Sequence, residues 1–537
     1  MLLIECVSSY FSGESGSVSN PFFQGVWLYL ALFGLSILPG GKTTRILLSF
    51  WVMILSLITA VGAFLYLRFG LPMDCDCFFV AAASSTVETR EFLERFLSWR
   101  LAAMILVLAA AGAGMTTLVW KTGYRCSQSN TAVAMLLVLP FAVNSIRYAA
   151  KGKTDRIFTR SNLPRIVSGY FLYRQKFVQL LALEKTPKLP SGIRDLGGGK
   201  GLAGVLVIGE SANCSHWGVY GYPRDTTPEI RKRLGQCLIF DDVVSTHPHT
   251  TGALYHMLTN AELVSGKAPD FTMVDILKAT GMRVVMISNQ MRWGKYDGPI
   301  SILTAHCDKR LYLRDLLRKP YDFDVIPVLE KILKEFSRER LLVIVHLMGS
   351  HNRFSLRYPQ DFSRFDGVVD GCTRDLQKKV ADELNEYDNS IAYTDRVLGA
   401  VADLLQKESR PAFMFYVSDH SETGAWAGHP AGRSPASKIP DVYEVPCLLW
   451  TNLRYRSAHP DVLAAAGRNL SAPMQGDRLI WPILSASRIT FDQFPQTKNI
   501  FSTQYIPAEK RLTGGVIYSP SKEKLEARRA RAEAKTH

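Results

Sequence analysis

Four long apolar stretches lie before residue 150, after which short apolar runs alternate with polar, helix-periodic segments. The stretches at 22–39, 46–67, 101–120 and 131–148 are each about 18–22 residues long, the length of a bilayer-crossing helix. Buried core helices are the alternative, which four such stretches in close succession disfavour. Residues 163–185 mix aromatic and aliphatic side chains with Arg and Lys, as an interfacial helix or a helix packed on a soluble domain would. A Pro- and Gly-rich linker covers 187–192 and 197–201. Beyond it, apolar runs at 205–208, 282–287, 341–347 and 412–417 predict core strands, and 327–338 and 380–406 carry helical periodicity. The expected fold class is a multi-span α-helical membrane domain followed by an α/β domain whose mainly parallel sheet is covered on both faces. The expected boundaries are 1–150 for about four membrane helices, 151–200 for the interfacial helix and linker, 201–520 for the catalytic domain, and 521–537 for a basic tail.

The short loops set the expected orientation. Lys42 and Arg45 lie between the first two stretches, and Lys121 and Arg125 between the last two. Cytoplasmic loops collect Lys and Arg, so both are expected inside, with the N-terminus, the loop 69–99 and everything after residue 151 outside. Residues 1–20 lack the basic start and cleavage site of a secretory signal, so no removal is expected. The net charge of +15 across 537 residues suits an anionic lipid surface. No nucleic-acid-binding motif accompanies it, and no nucleic-acid partner is expected. Nine cysteines carry no diagnostic spacing; an extracytoplasmic location would permit disulfides, for which Cys307 with Cys372 is the candidate pair, though spacing does not define the connectivity.

The candidate chemistry sits at the ends of the predicted strands. Glu210 follows a strand and Gly209, and Asp419-His420 follows Phe-Tyr-Val-Ser. Carboxylate oxygens with an imidazole nitrogen suit Zn²⁺. His249, His351, His420 and His429 all lie near strand ends or glycine-rich turns. Thr250 or Thr251 opens an apparent helix, where the N-terminus favours developing negative charge; an ordinary N-cap is the alternative for either. Residues 387–395 form a helical segment with Tyr387, Ile391 and Thr394 on one face, read as a packing face with Asp388 and Asp395 in solvent.

Several ordered motifs resemble the membrane phosphoethanolamine transferases of the alkaline-phosphatase/sulfatase superfamily. They are Val205-Leu-Val-Ile-Gly-Glu-Ser211, the segment Trp217 to Pro228, Pro248-His-Thr250, His346-Leu-Met-Gly-Ser-His351, Tyr387 to Asp395, Ser418-Asp-His-Ser-Glu-Thr-Gly424 and Gly428-His429. The resemblance spans about residues 200–455 and implies a sulfatase-like catalytic domain. It implies zinc held by Glu210, Thr250, Asp419 and His420, with Thr250 as the nucleophile that takes up phosphoethanolamine. His351 and His429 would contact the donor phosphate and assist proton transfer, with Asn289 a further donor-site candidate. The donor implied is phosphatidylethanolamine and the acceptor lipid A or lipopolysaccharide core, at the periplasmic face of a bacterial inner membrane. A phosphoglycerol transferase or a phosphate or sulfate ester hydrolase of the same superfamily is the alternative. The Cys/Ser-x-Pro-x-Arg context of a sulfatase is absent around Thr250.

Overall fold

Runs such as Ala-Gly-Val-Leu-Val-Ile-Gly have no polar face, so a strand made of them has to be covered on both sides. A computed structural model of the chain describes residues 162–198, 201–291, 299–315, 318–428, 439–513 and 516–520, together with Trp99–Lys121 and scattered positions between 42 and 146. The chain divides into two compact units, Met1–Gln175 and Lys176–His537.

In the first unit, helix α1 (Trp99–Lys121) is one uninterrupted 23-residue element, as expected for the third apolar stretch. Its Trp120 indole donates to Ser49 Oγ at 3.0 Å, tying it to the helical residues of the second stretch. The first stretch lies outside the described residues, and only scattered positions of the fourth are described. Among the described residues, no helix is long and apolar enough to cross a membrane. Helix α2 (Asn162–Lys185) crosses the unit boundary. Past that boundary Leu180 and Leu183 are buried in the core of the second unit, whereas Tyr170, Phe171 and Leu172 near the other end are exposed. The packed reading therefore holds for the C-terminal part of this helix.

The second unit is built on seven strands: β1 (Ala203–Gly209), β2 (Cys237–Phe240), β3 (Arg283–Met291), β4 (Lys309–Arg314), β5 (Leu341–His346), β6 (Ala412–Ser418) and β7 (Cys447–Thr451). Their order across the sheet is β2-β7-β6-β1-β5-β3-β4. Strands β6, β1, β5, β3 and β4 pair in parallel, and β7 runs antiparallel to both its neighbours. The sheet is thus mixed, with the single reversed strand beside one edge. All four strands expected from sequence are present. The short β2 and β7 and the half-exposed, charge-alternating β4 were not expected, because none carries a long apolar run.

Alternate residues along the central strands feed two cores. Leu206, Ile208, Leu342, Ile344, Phe413 and Phe415 pack with α3 (Thr250–Met257), α4 (Met273–Ala279) and a further helix, Ile480–Ala486. Val205, Val207, Val343, Val345, Met414 and Tyr416 pack with α5 (Val325–Glu335) and α6 (Lys378–Gln406) on the other face. The expected layering of helices on both faces is present, and it leaves the carboxyl ends of β1, β5 and β6 side by side.

Helix α6 corrects one expectation. Asp388 and Asp395 are both fully buried, not solvated. Asp388 takes hydrogen bonds from Tyr222 at 2.8 Å and Arg224 at 2.7 Å, and His216 Nδ1 lies 2.9 Å from it. Asp395 accepts the backbone N–H groups of Glu229 at 2.7 Å and Ile230 at 3.0 Å, closing the helical turn Pro228–Arg231. These two carboxylates therefore join the segments 216–230 and 387–395.

Burial pushes the Asp395 carboxyl up from 3.8 to about 7, against the pull of the two N–H donors. A raised folded-state value means that the neutral form favours folding. That contribution is complete below about pH 4 and is lost as pH rises through about 7. Asp395→Asn removes the titration and one of two acceptors. Its thermal midpoint should fall furthest below wild type near pH 4, with the gap narrowing by pH 8; a gap that widens with pH contradicts this assignment.

Candidate metal centre

The parallel pairing of β1 with β6 sets Gly209 opposite Ser418, so the residues that follow, Glu210 and Asp419, leave the sheet as neighbours. His420 comes next. Its Nε2 lies 3.1 Å from Glu210 Oε1 and 3.2 Å from Asp419 Oδ2. One ligand atom from each of Glu210, Asp419 and His420 falls within 4.8 Å of the others, and all three side chains are buried. The Nδ1 of His420 is 3.0 Å from the Ser421 carbonyl, an acceptor, so Nδ1 carries the proton. In a neutral ring that leaves the lone pair of Nε2 facing the two carboxylates. Converging acceptors with a fixed tautomer are what a cation requires, so the donor set fits a metal ion.

The turn carrying Glu210 is held under strain. Ser211 adopts φ 59, a left-handed conformation costing about 1–3 kcal/mol in a non-glycine residue. Tyr387 of α6 grips the turn, donating to Ser211 O at 2.8 Å and accepting the Asn213 N–H at 2.9 Å. Ala212 N–H reaches Ser418 Oγ at 2.9 Å, and Ser211 N–H reaches Asp419 Oδ1 at 3.2 Å. The carboxylate itself accepts the Ser211 hydroxyl at 2.7 Å on Oε1.

Thr250 is the first residue of α3, and His249 caps that helix by accepting the Gly252 N–H on Nδ1 at 3.2 Å. The Thr250 hydroxyl donates to Glu210 Oε2 at 2.9 Å and lies 3.5 Å from His420 Nε2. These contacts put Thr250, rather than Thr251, at the centre.

His351 sits on the turn after β5, which is fastened to Glu210 by the Ser350 N–H donating to Glu210 O at 2.8 Å. Gly349 in that turn has φ +47, and a Cβ there would stand 2.6 Å from Glu210 O and 2.8 Å from Glu210 N. Asn289 is fully buried. Its amide donates to Asp322 Oδ1 at 2.7 Å and Pro320 O at 3.2 Å, while Asp322 accepts the N–H groups of Met348 and Gly349 at 2.9 and 2.7 Å. Asn289 therefore lies behind the His351 turn as a brace. His429 lies outside the described residues.

Two nearby groups were not anticipated. His346 at the end of β5 is fully buried, and burial pushes it down to about 4 despite the Glu210 charge, so the ring is neutral. Gln290 places Nε2 3.3 Å from Glu210 Oε2 and 3.0 Å from Leu347 O. It immediately follows Asn289, but a break in strand register aims it here, and no sequence pattern marks that break. The cysteine expectation fails: Cys307 and Cys372 are both free thiols, as are Cys214, Cys237 and Cys447.

A parallel-centred sheet with helices on both faces and a buried carboxylate–imidazole cluster at its strand ends defines an enzyme domain of the sulfatase and alkaline-phosphatase type. Comparison with known proteins agrees. Residues 204–471 match the Sulfatase family model. The phosphoethanolamine transferase EptC of Escherichia coli (strain K12) is 26% identical, covering 93% of this chain and 88% of its own length. CptA of Salmonella typhimurium (strain LT2), also a phosphoethanolamine transferase, is 25% identical over 92% and 88%. The C-terminal periplasmic domain of E. coli EptC, solved in complex with Zn, is 26% identical with a TM-score of 0.56, covering 60% of this chain and 92% of that one. The integral membrane protein lipooligosaccharide phosphoethanolamine transferase A (EptA) from Neisseria meningitidis shares the fold over 93% of this chain and 94% of its own, at a TM-score of 0.67 and 17% identity. The chain belongs to the sulfatase family, within the branch of phosphoethanolamine transferases.

Two substitutions test the centre. His420→Ala should sharply lower metal content measured by elemental analysis, with folding retained; unchanged content would remove His420 from the ligand set. Gly349→Ala sets a Cβ against the Glu210 backbone at a positive φ and should cost about 2 kcal/mol in stability and weaken metal binding. A variant with native metal affinity would show that the close approach is not needed.

Proposed function

We propose that the chain transfers phosphoethanolamine from phosphatidylethanolamine to lipid A or the core sugars of lipopolysaccharide, in two half-reactions through a covalent intermediate on Thr250. The reading is carried by one observation: a helix-start hydroxyl donates to Glu210 beside His420, at a buried set of metal-ligating side chains. The printed names of the relatives support the transferred group, and the Zn complex of E. coli EptC supports zinc as the ion.

In this reading Glu210, Thr250, Asp419 and His420 would hold zinc, which when bound would ease ionisation of the hydroxyl and offset charge on the phosphoryl oxygens. Thr250 attacks the donor phosphodiester and diacylglycerol leaves. The acceptor oxygen then attacks the Thr250 ester from the same side of the site. His351 and His429 contact the phosphate and exchange the protons of the two half-reactions. Glu210 fixes the hydroxyl direction through Oε2, and the N-terminal end of α3 favours the negative charge gathering there.

The proposed setting is a bacterial inner membrane. Residues 1–150 form the multi-pass anchor, 151–200 the interfacial helix and linker, 201–520 the periplasmic catalytic domain and 521–537 a basic tail. The exposed Tyr170, Phe171 and Leu172 support the interfacial part.

Intact-peptide mass spectrometry after incubation with phosphatidylethanolamine tests the proposal. A phosphoethanolamine adduct is expected on the peptide containing Thr250, and it should be lost with a zinc chelator and in Thr250→Ala. An adduct obtained from phosphatidylglycerol instead would make this a phosphoglycerol transferase, and full activity of Thr250→Ala would sink the covalent mechanism.

A further inference from the structure

Among the described residues, Arg364 and Arg396 have no carboxylate partner, and both rest on one ring. The Arg364 guanidinium carbon lies 4.9 Å from the centre of the Phe362 ring. That of Arg396 lies 5.5 Å from the same centre, 4.6 Å from Phe323 and 5.9 Å from Tyr393. The rings form one cluster: Phe362 meets Tyr393 edge to face at 4.9 Å, and Tyr393 meets Tyr321 in the same way at 6.1 Å. Tyr393 and Arg396 are three apart on α6 and so share a face of it. Both arginines and Tyr321 are exposed. Asp324 is turned inward by the Tyr321 N–H, which it accepts at 2.9 Å, and Asp361 and Asp366 of the Arg364 loop form no ion pair with either arginine.

A cation is attracted to an aromatic face, but two cations on one ring repel each other. An anion placed beside both reverses that repulsion. A guanidinium lying flat on a ring keeps its N–H groups in its own plane, at the edge of the cluster, where they can grip phosphate oxygens in pairs. The aromatic faces beside them suit the C–H face of a sugar.

The cluster is fastened to the turn that carries His351. Tyr321 and Phe323 flank Asp322, which accepts the Met348 and Gly349 N–H groups at 2.9 and 2.7 Å. Arg364 and Phe365 donate their N–H groups to Asn389 Oδ1 at 2.7 and 3.1 Å. The adjoining Ser390 hydroxyl donates to Ser350 Oγ at 2.8 Å. We propose that this cluster is a subsite for a phosphorylated sugar of the acceptor, with Arg364 and Arg396 holding the phosphate and Tyr321 and Phe362 the sugar. The proposal rests on the reading of the acceptor as a lipopolysaccharide glycan, and it concerns a part of that glycan away from the reacting oxygen. An acceptor anchored here is kept beside the His351 turn, which raises its effective concentration at the centre.

The test titrates the full-length protein in detergent, without donor, with a phosphorylated glucosamine disaccharide by calorimetry. The double variant Arg364→Ala with Arg396→Ala should bind it at least about tenfold more weakly than wild type, with zinc content and thermal midpoint close to wild type. The same disaccharide without phosphate should bind wild type no better than the phosphorylated one binds the variant. Arg364→Lys with Arg396→Lys keeps the charge and loses the paired donors, so it should recover only part of the affinity. In the transfer assay the alanine pair should raise KM for the acceptor far more than it lowers kcat. Equal affinity of wild type and the alanine variant, or no binding by either, overturns the proposal. So does full recovery with lysine, which would reduce the cluster to a general contact with anionic lipid. If wild type transfers nothing to any glycan, the acceptor reading fails by itself, and the calorimetric comparison still decides the subsite.

Discussion

The chain leaves β1 through Ser211 in the left-handed region, and the chemistry at the centre depends on its being kept there. An L-residue pays about 1–3 kcal/mol for that conformation, so the turn persists only because its surroundings determine it completely. Tyr387 fixes it from α6, Ser418 from β6, and the Gly349 turn from β5. If the turn relaxed, the Glu210 carboxylate would swing away from His420, and the Thr250 hydroxyl would lose its acceptor. The backbone strain, the close glycine and the buried tyrosine are thus one arrangement serving a single carboxylate.

Electrostatics explains why so much structure is spent on that point. Glu210, Asp419 and His420 are each no more than 1% exposed, and their ligand atoms crowd within 4.8 Å. Burying a carboxylate costs several kcal/mol even after relaxation, and two beside each other repel. A cation among them reverses both terms, so metal binding and the local stability of these loops are coupled. The neutral, desolvated His346 adjoining the cluster adds no compensating charge. Water-poor surroundings of this kind also strengthen any donor aimed at a developing oxyanion.

The long apolar strands and the strand-end residues Glu210, Asp419 and His420 were legible in the chain, because continuous apolar runs force buried strands and the polar residue after each run has to emerge at the sheet edge. Thr250 was legible as a helix start, but its distinction from Thr251 depends on which hydroxyl rotates toward Glu210. Three strands escaped detection because two are short and one is a half-exposed edge. Gln290 and Asn289 show the limit of reading by adjacency. Successive strand residues normally face opposite ways, and a register break decided which of the two reaches Glu210. Asp388 and Asp395 seemed solvated for a related reason, since nothing local in a helix reveals that their partners, the side chains of His216, Tyr222 and Arg224 for Asp388 and the backbone N–H groups of Glu229 and Ile230 for Asp395, come from 160 or more positions earlier.

That last pairing clarifies the motifs that carry no obvious chemistry. The segment from His216 to Ile230 and the stretch Tyr387–Asp395 face each other, joined by Asp388 to His216, Tyr222 and Arg224 and by Asp395 to the turn at Glu229 and Ile230. Arg224 extends the network to Asp370 through two further bonds at 2.8 and 3.0 Å. Tyr387, next to Asp388, is the residue that grips the Glu210 turn. A shift of α6 along its axis would therefore be felt at Ser211 before it reached the Glu210 carboxylate. Residues without catalytic atoms act on the chemistry here by setting where one helix turn lies, and so the family resemblance extends well beyond the side chains that would touch a substrate.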